Sequence, residues 1–366
     1  MSVSRFVPLL VKRVTPEAAG SVAVTLDIPP AKRADFQFEP GQFLTLQTTL
    51  NGNVVRRNYS VCSTRQQLLE HGELVVGIRP VAGGVFSNWA ATTLQAGHTL
   101  ESLPPDGRFT VKKTRALHRV GFAAGSGITP ILSIAATTLE EQPGSKFTLV
   151  YGNRRMASVM FNETLQDLKD RYPDRFTMVH ILSRQAQEVP LLEGRIDGDK
   201  VRALAATLLP AASMDEVFIC GPEAMITATE TALRDLGVNP DRIRTERFTS
   251  PTLEALAPEV RQQAVLGQTH APQGTVALRV VLDGKTHTLR MGPHEHVLDV
   301  ALNAGLDLPY SCKGGVCCTC RAKVLEGAAT MDRNYTLEPW EMAQGFVLSC
   351  QARPTTDTLV LSYDER

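Results

Sequence analysis

The crowding of cysteine towards one end of the chain restricts the fold more than any other feature. Cys62 and Cys220 stand alone, whereas Cys312, Cys317, Cys318, Cys320 and Cys350 share one stretch of a 366-residue chain. A secreted disulfide scaffold distributes its cysteines over the chain it staples, so a tight group of this kind points to metal. Four and two residues separate Cys312, Cys317 and Cys320, and 29 lie between Cys320 and Cys350. That spacing requires a tight loop bearing three thiolates and a separate strand delivering the fourth. Gly314 and Gly315 permit such a loop, because glycine accepts positive φ and close backbone approach.

The spacing is the plant-type pattern of a two-iron, two-sulfur cluster, with Cys312, Cys317, Cys320 and Cys350 as ligands. Zinc is the competing reading, but zinc sites usually join two close-spaced ligand pairs. Cys318 falls outside the spacing and reads as a bystander thiol. The run Leu308-Pro309-Tyr310-Ser311-Cys312-Lys313-Gly314-Gly315-Val316-Cys317 resembles the plant-type ferredoxins. The resemblance covers residues 275–366 and implies an α+β, ferredoxin-like β-grasp domain.

The remaining chain reads as two further units. Residues 1–113 carry short strand-like runs such as Val22–Ile28, Gln42–Thr48 and Glu73–Arg79, punctuated by Gly and Pro. Asn51-Gly52 between two such runs is a strong hairpin signal, since both turn positions need positive φ. About six strands of this kind predict a small antiparallel β-barrel. Over 114–248 short apolar strands alternate with helical stretches, the signature of a doubly wound parallel sheet. Pro130 and Pro222 suit the first position of their helices. Residues 249–274 read as a linker, with one helical turn around Leu253–Gln263. In the third unit Asp283-Gly284 marks a second hairpin, and His296–Asn303 a helix closed by Gly305.

Thirty-eight Lys and Arg balance 38 Asp and Glu, giving no net charge. Nucleic-acid binders normally carry a marked basic excess, so that class is excluded. No apolar run approaches the roughly 20 residues needed to cross a bilayer. The apolar stretch Phe6–Val11 is too short for a signal-peptide core, which leads us to expect a cytoplasmic protein.

Two motifs in the first unit gain weight from their order. Arg57-Asn58-Tyr59-Ser60 leaves the Asn51-Gly52 turn, and Gly83-Gly84-Val85-Phe86-Ser87 opens a helix. A Gly-rich turn at a helix N-terminus offers free N–H groups and a dipole to an anion. Gly125-Ser126-Gly127-Ile128-Thr129-Pro130 then ends the first parallel strand. Pro130 takes the place of the third glycine of a dinucleotide fingerprint, yet the two glycines still let backbone approach a pyrophosphate.

Together these segments resemble the ferredoxin–NADP reductase family. The resemblance implies that Tyr59 and Ser60 meet the isoalloxazine and ribityl of FAD, and that Arg57 and Ser87 face phosphate. Gly84, Val85 and Phe86 would cradle the pyrophosphate. Gly125, Gly127 and Pro130 would line the nucleotide site, with Thr129 beside flavin and nicotinamide. Cys220 and Gly221 of Cys220-Gly221-Pro222 would pack on the nicotinamide, and Glu246 and Phe248 would lie near the flavin. FMN in place of FAD stays open, because the adenine pocket has no strong motif.

Nucleotide choice follows from charge. A site for NAD places an acid at the end of the second strand, but here Gly152-Asn153-Arg154-Arg155 follows that strand. Ser183-Arg184 ends the third strand and matches the family's pair for a 2′-phosphate. Arg154, Ser183 and Arg184 therefore favour NADPH over NADH.

A hydride donor supplies two electrons and a two-iron cluster takes one, and a flavin can mediate between them. No Glu-x-x-His pattern of a di-iron bundle is present, so an oxidising partner is expected on another polypeptide. Over its full length the chain resembles the family of reductase subunits of bacterial phenylacetyl-CoA epoxygenase complexes. The Tyr-Gly-Asn-Arg segment at 151–154, Gly-Arg-Ile-Asp-Gly at 194–198 and Lys-Gly-Gly-Val at 313–316 carry that resemblance. It implies a multisubunit di-iron oxygenase as electron acceptor. An NADH-dependent reductase for another aromatic oxygenase shares the same modules. A regulatory nucleotide-binding protein with a structural zinc site is the reading of a different class.

Overall fold

The computed structural model describes residues 6–111, 117–249 and 275–365. The chain divides into two compact units, one of Phe6–Val55 and Tyr59–Arg247, the other of Arg56–Asn58 with the residues from Phe248 onward. The expected linker, apart from residue 249, and the helical turn at Leu253–Gln263 lie outside the described residues.

Six strands open the chain: β1 (Val7–Pro16), β2 (Val22–Asp27), β3 (Phe43–Leu50), β4 (Asn53–Ser60), β5 (Glu73–Ile78) and β6 (Thr99–Ser102). They form one sheet in the order β4-β3-β6-β1-β2-β5. The β3–β4 turn has φ of 51° at Asn51 and 77° at Gly52, which matches the right-handed twist of the flanking strands. The edges of the sheet meet at a single bridge, Val61 with Val76, so closure is narrow. Alternating residues such as Leu9, Val24, Leu26, Leu44 and Val76 fill the interior. Helices α1 (Arg65–His71) and α2 (Val85–Thr92) flank β5. Thr64 caps α1 by accepting the Gln67 N–H, and Gly72 ends it at φ +69°.

Next come β7 (His118–Ala124), α3 (Ile128–Glu141), β8 (Lys146–Asn153), α4 (Asn162–Arg171) and β9 (Phe176–Leu182). They are followed by α5 (Gly198–Thr207), β10 (Glu216–Cys220), α6 (Glu223–Asp235) and β11 (Ile243–Glu246). The five strands are parallel in the order β11-β10-β7-β8-β9. The order reverses between β7 and β10, the switch point beyond which such sheets bind ligands. Phe147, Leu149 and Phe218 on one face meet α3 and α4, and Val120, Val150 and Ile219 on the other meet α5 and α6. Every residue of α3 from Ile128 to Leu139 is buried, because Ala23 of β2 joins its core together with Cys62, which follows β4, and Phe109, which follows β6.

Both helix-starting prolines fall elsewhere than expected. Pro130 is the third residue of α3, behind a 3-10 turn at Gly125–Gly127, and Pro222 is the N-cap of α6. The first four N–H groups of a helix all lack an internal partner, so proline is tolerated at any of these positions.

The other unit contains β12 (Val276–Leu282), β13 (Lys285–Met291), α7 (Val297–Asn303), β14 (Arg321–Glu326) and β15 (Ala329–Met331). It continues with α8 (Pro339–Ala343), β16 (Phe346–Leu348), β17 (Ala352–Pro354) and β18 (Thr358–Ser362). Five strands run in the order β13-β12-β18-β14-β16, and β15 pairs with β17. The β12–β13 turn again carries two positive φ values, 52° at Asp283 and 72° at Gly284. Val297, Leu298, Val300 and Ala301 of α7 pack into a core with Leu278, Val280 and Leu359. Strand β16 stops at Leu348. There the Ser349 N–H and hydroxyl both donate to Cys320 O, which turns the chain towards the cysteine loop.

Candidate functional site

Three of the four expected metal-ligand thiols sit on the loop between α7 and β14, and the fourth sits in the turn after β16. Cys317, Cys320 and Cys350 are buried and Cys312 is half-buried. Cys317 Sγ lies 3.1 Å from Cys312 Sγ. Cys312 is also a neighbour of Cys350, and Cys350 of Cys320. Lys313 (φ +49°) and Gly315 (φ +77°) curl the loop so that the Gly314 N–H points at Cys312 Sγ from 3.4 Å. A Cβ on Gly315 would stand 3.0 Å from Arg333 O, so the close approach needs glycine as much as the dihedral does. Cys317 and Cys350, with the amides of Gly314 and Val316, hold the Cys312 thiol well below its ordinary range against the opposing effect of burial.

Among the described residues no group of three or more His, Cys, Asp or Glu side chains frames a single metal ion. The four sulfurs instead form a chain of neighbours, Cys317 to Cys312 to Cys350 to Cys320, with amide hydrogens aimed at sulfur. That donor set fits a thiolate-held 2Fe-2S cluster better than one tetrahedral ion. Cys318 is buried, and its carbonyl accepts the Arg321 N–H at 3.0 Å. Gln351, which the sequence did not single out, donates from Nε2 to Lys313 O at 3.1 Å and approaches Cys350 Sγ at 3.6 Å.

Arg57, Tyr59 and Ser60 share β4, with Ser60 buried. Gly84 is the N-cap of α2, which leaves the first-turn N–H groups of Val85, Phe86 and Ser87 without helical acceptors. A Cβ on Gly84 would come within 2.4 Å of Ser87 Oγ, which accepts the Val81 N–H at 3.4 Å. The Tyr59 and Phe86 rings are 5.4 Å apart, so the strand motif and the helix motif adjoin. Phe248 follows β11 and is exposed.

Gly125–Gly127 turns the chain from β7 into α3 at the switch point. A Cβ on Gly127 would lie 2.0 Å from Cys220 O, so the ends of β7 and β10 can be this close only with glycine there. Thr129 is buried and donates from Oγ1 to Ser126 O at 3.0 Å. Beyond β10, Gly221 packs against Met225, whose Cε a Cβ would meet at 2.6 Å.

Past the sheet edge the β8–β9 ladder continues. Ser183 N–H donates to Asn153 O at 2.9 Å and Arg184 N–H to Arg154 O at 2.8 Å. Arg154 and Arg184 thus stand side by side, both exposed and neither in an ion pair among the described residues. Two unneutralised cations at the C-terminal edge of a parallel sheet suit an anion.

Cys220 is fully buried and stands opposite Glu246 in the ladder between β10 and β11. Burial pushes the Glu246 carboxyl up to about 8, while the Ser60 hydroxyl holds it partly down. Burial, and then the charge on Glu246, raise the Cys220 thiol well above its ordinary range. The structure therefore gathers Ser60, Cys220 and Glu246 from three strands that the sequence order keeps apart.

Two further residues adjoin the Gly125 turn. Tyr151 Oη donates to Gly125 O at 2.9 Å. A Cβ on Gly125 (φ +54°) would stand 2.4 Å from Arg79 Nη1. The signal for Arg79 was its place just after β5 and before Gly83-Gly84, a position where a cation can reach the same crevice.

Comparison with known proteins agrees with this geometry. The oxidoreductase FAD-binding domain family matches residues 17–111, the oxidoreductase NAD-binding domain family 122–231, and the 2Fe-2S iron-sulfur cluster binding domain family 280–355. The chain is 42% identical over 364 residues to a component of the 1,2-phenylacetyl-CoA epoxidase of Escherichia coli (strain K12), covering 99% of this chain and 98% of that protein. It is 36% identical over 362 residues to the ferredoxin reductase component of 3-ketosteroid-9-alpha-monooxygenase of Rhodococcus rhodochrous, covering 98% and 97%. Phthalate dioxygenase reductase shares the fold, with a TM-score of 0.58 at 20% identity and 98% of each chain covered. No helix among the described residues is long and apolar enough to cross a membrane.

Proposed function

The chain belongs to the reductase components of oxygenase systems, built from FAD-binding, NAD-binding and 2Fe-2S domains, and from there we propose that it draws electrons from NADPH and delivers them to the di-iron oxygenase of a phenylacetyl-CoA epoxygenase complex. The observation that carries the acceptor is the likeness to the Escherichia coli epoxidase component along nearly the whole of both chains. FAD takes a hydride and gives up electrons singly, which is what a one-electron cluster requires. NADPH rather than NADH is favoured by the adjacent Arg154 and Arg184, where a bidentate guanidinium suits a 2′-phosphate.

In this reading Arg57 and Ser87 hold flavin phosphate, Gly84, Val85 and Phe86 form its cradle, and Tyr59, Ser60 and Phe248 adjoin the ring system. Gly125, Gly127, Pro130 and Gly221 shape the nucleotide crevice, and Ser183 supports Arg184. Thr129, Cys220 and Glu246 border the point of hydride transfer, and Cys312, Cys317, Cys320 and Cys350 bind the cluster. Boundaries at 113, 248 and 274 separate a flavin barrel, a nucleotide sheet, a linker and a ferredoxin-like domain. A cytoplasmic setting suits the free thiols.

The likeness to 3-ketosteroid-9-alpha-monooxygenase reductase components supports a second acceptor, another oxygenase, and we pair that reading with NADH as the donor. Reconstitution decides between them. The purified holoprotein is mixed with the oxygenase subunits of a phenylacetyl-CoA epoxygenase, and oxygen uptake is followed with each nucleotide. NADPH-supported turnover of phenylacetyl-CoA is expected. No turnover there, with turnover of an aromatic or steroid oxygenase instead, would reject the first acceptor.

A further inference from the structure

Phe161 has a φ of +57°, in the left-handed region that a bulky side chain rarely enters. It stands at the N-cap of α4, at the end of the loop that begins with Arg154. Its N–H donates to Glu17 Oε2 at 2.8 Å, from the turn that links β1 to β2. Glu17 is itself fixed, because its own N–H donates to Ser21 O at 2.7 Å. The Phe161 ring is buried against β5. A Cβ on Gly77 would stand 2.8 Å from Phe161 Cε2 and 2.7 Å from Thr129 Cγ2. Glycine is there for space, so strand, ring and threonine methyl form one contact layer between the first sheet and α3.

We propose that Glu17 and Phe161 form a latch that sets the height of Thr129 over the first sheet, which makes both of them positioning residues for hydride transfer. The proposal rests on the reading of Thr129 as the neighbour of flavin and nicotinamide. The carboxylate on the N–H offsets the unfavourable backbone of Phe161. Without that acceptor, residue 161 relaxes towards an ordinary φ, the ring withdraws, and Thr129 loses its backing. Hydride transfer tolerates little displacement: about 1 Å can cost on the order of a hundredfold in rate.

The test uses the holoenzyme, mixed anaerobically with NADPH. The rate of flavin bleaching and the flavin–nicotinamide charge-transfer absorbance are both recorded, and NADP+ binding is measured by calorimetry. Glu17→Ala should slow bleaching about tenfold or more and weaken the charge-transfer band, while NADP+ affinity stays close to that of the parent. Glu17→Gln keeps a carbonyl acceptor and should restore both signals. Gly77→Ala attacks the same layer from the strand and should reproduce the loss. Parent-like bleaching and absorbance in Glu17→Ala would overturn the latch, whatever Gly77→Ala does. Thr129→Ala separates the premise: an unchanged band there removes the role of Thr129 itself. A changed band there, with Glu17→Ala like the parent, removes the latch alone.

Discussion

Cys220 and Glu246 face each other across the adjacent parallel strands β10 and β11, a buried thiol beside a carboxyl pushed up to about 8. In the unfolded chain that carboxyl ionises near 4.5. Between those values folding takes up a proton, so this group makes stability fall as pH rises from about 4.5 to about 8. The slope is at most about 1.4 kcal/mol per pH unit. Glu246→Gln should remove that slope, leaving the variant more stable than the parent at pH 9 relative to pH 5. Unfolding midpoints measured across that range check this, and parallel profiles would contradict it.

Arg184→Ala should raise the KM for NADPH roughly ten- to a hundredfold, the loss of a charge-assisted contact of roughly 1.5–3 kcal/mol. The KM for NADH should change little, since that nucleotide presents no 2′-phosphate. Steady-state rates with a flavin-level acceptor give both constants, and equal shifts would remove the case for NADPH.

Cys350→Ser should abolish electron delivery to cytochrome c while NADPH-driven reduction of a flavin-level acceptor continues. The substitution removes a single sulfur from the neighbour chain and leaves the first unit untouched. Persistent cytochrome reduction, with iron absorbance at parental strength, would refute the ligand assignment.

Arg119 and Glu216 form a fully buried ion pair, with Nε donating to Oε2 at 2.8 Å. Arg119→Met strands the carboxylate and should cost about 3–5 kcal/mol. Joint replacement by Met and Leu removes both charges and should recover most of that loss. Denaturant midpoints of the three proteins give the comparison.

What the sequence revealed and what it concealed divide by range. The turns at Asn51-Gly52 and Asp283-Gly284 were legible because their backbone demand is satisfied by two adjacent residues. The cysteine loop was legible because Cys312, Cys317 and Cys320 lie within nine residues and two glycines announce the bend. Helix α8 (Pro339–Ala343) escaped notice, since five residues are too few for a period. The meeting of Ser60, Cys220 and Glu246 was visible only through family likeness, because strand pairing between distant segments leaves no local trace. Phe161 gave no signal at all: the acceptor of its N–H is a carboxylate 144 residues away.

The position of β18 at the centre of its sheet has a consequence for biogenesis. It lies between β12 and β14, so the scaffold around the cysteine loop cannot close until residue 362 has left the ribosome. Until then the thiols of Cys312, Cys317, Cys318, Cys320 and Cys350 wait on a nascent segment without a core, open to oxidation and to stray zinc. Iron–sulfur maturation is therefore expected to follow translation of the unit rather than accompany it.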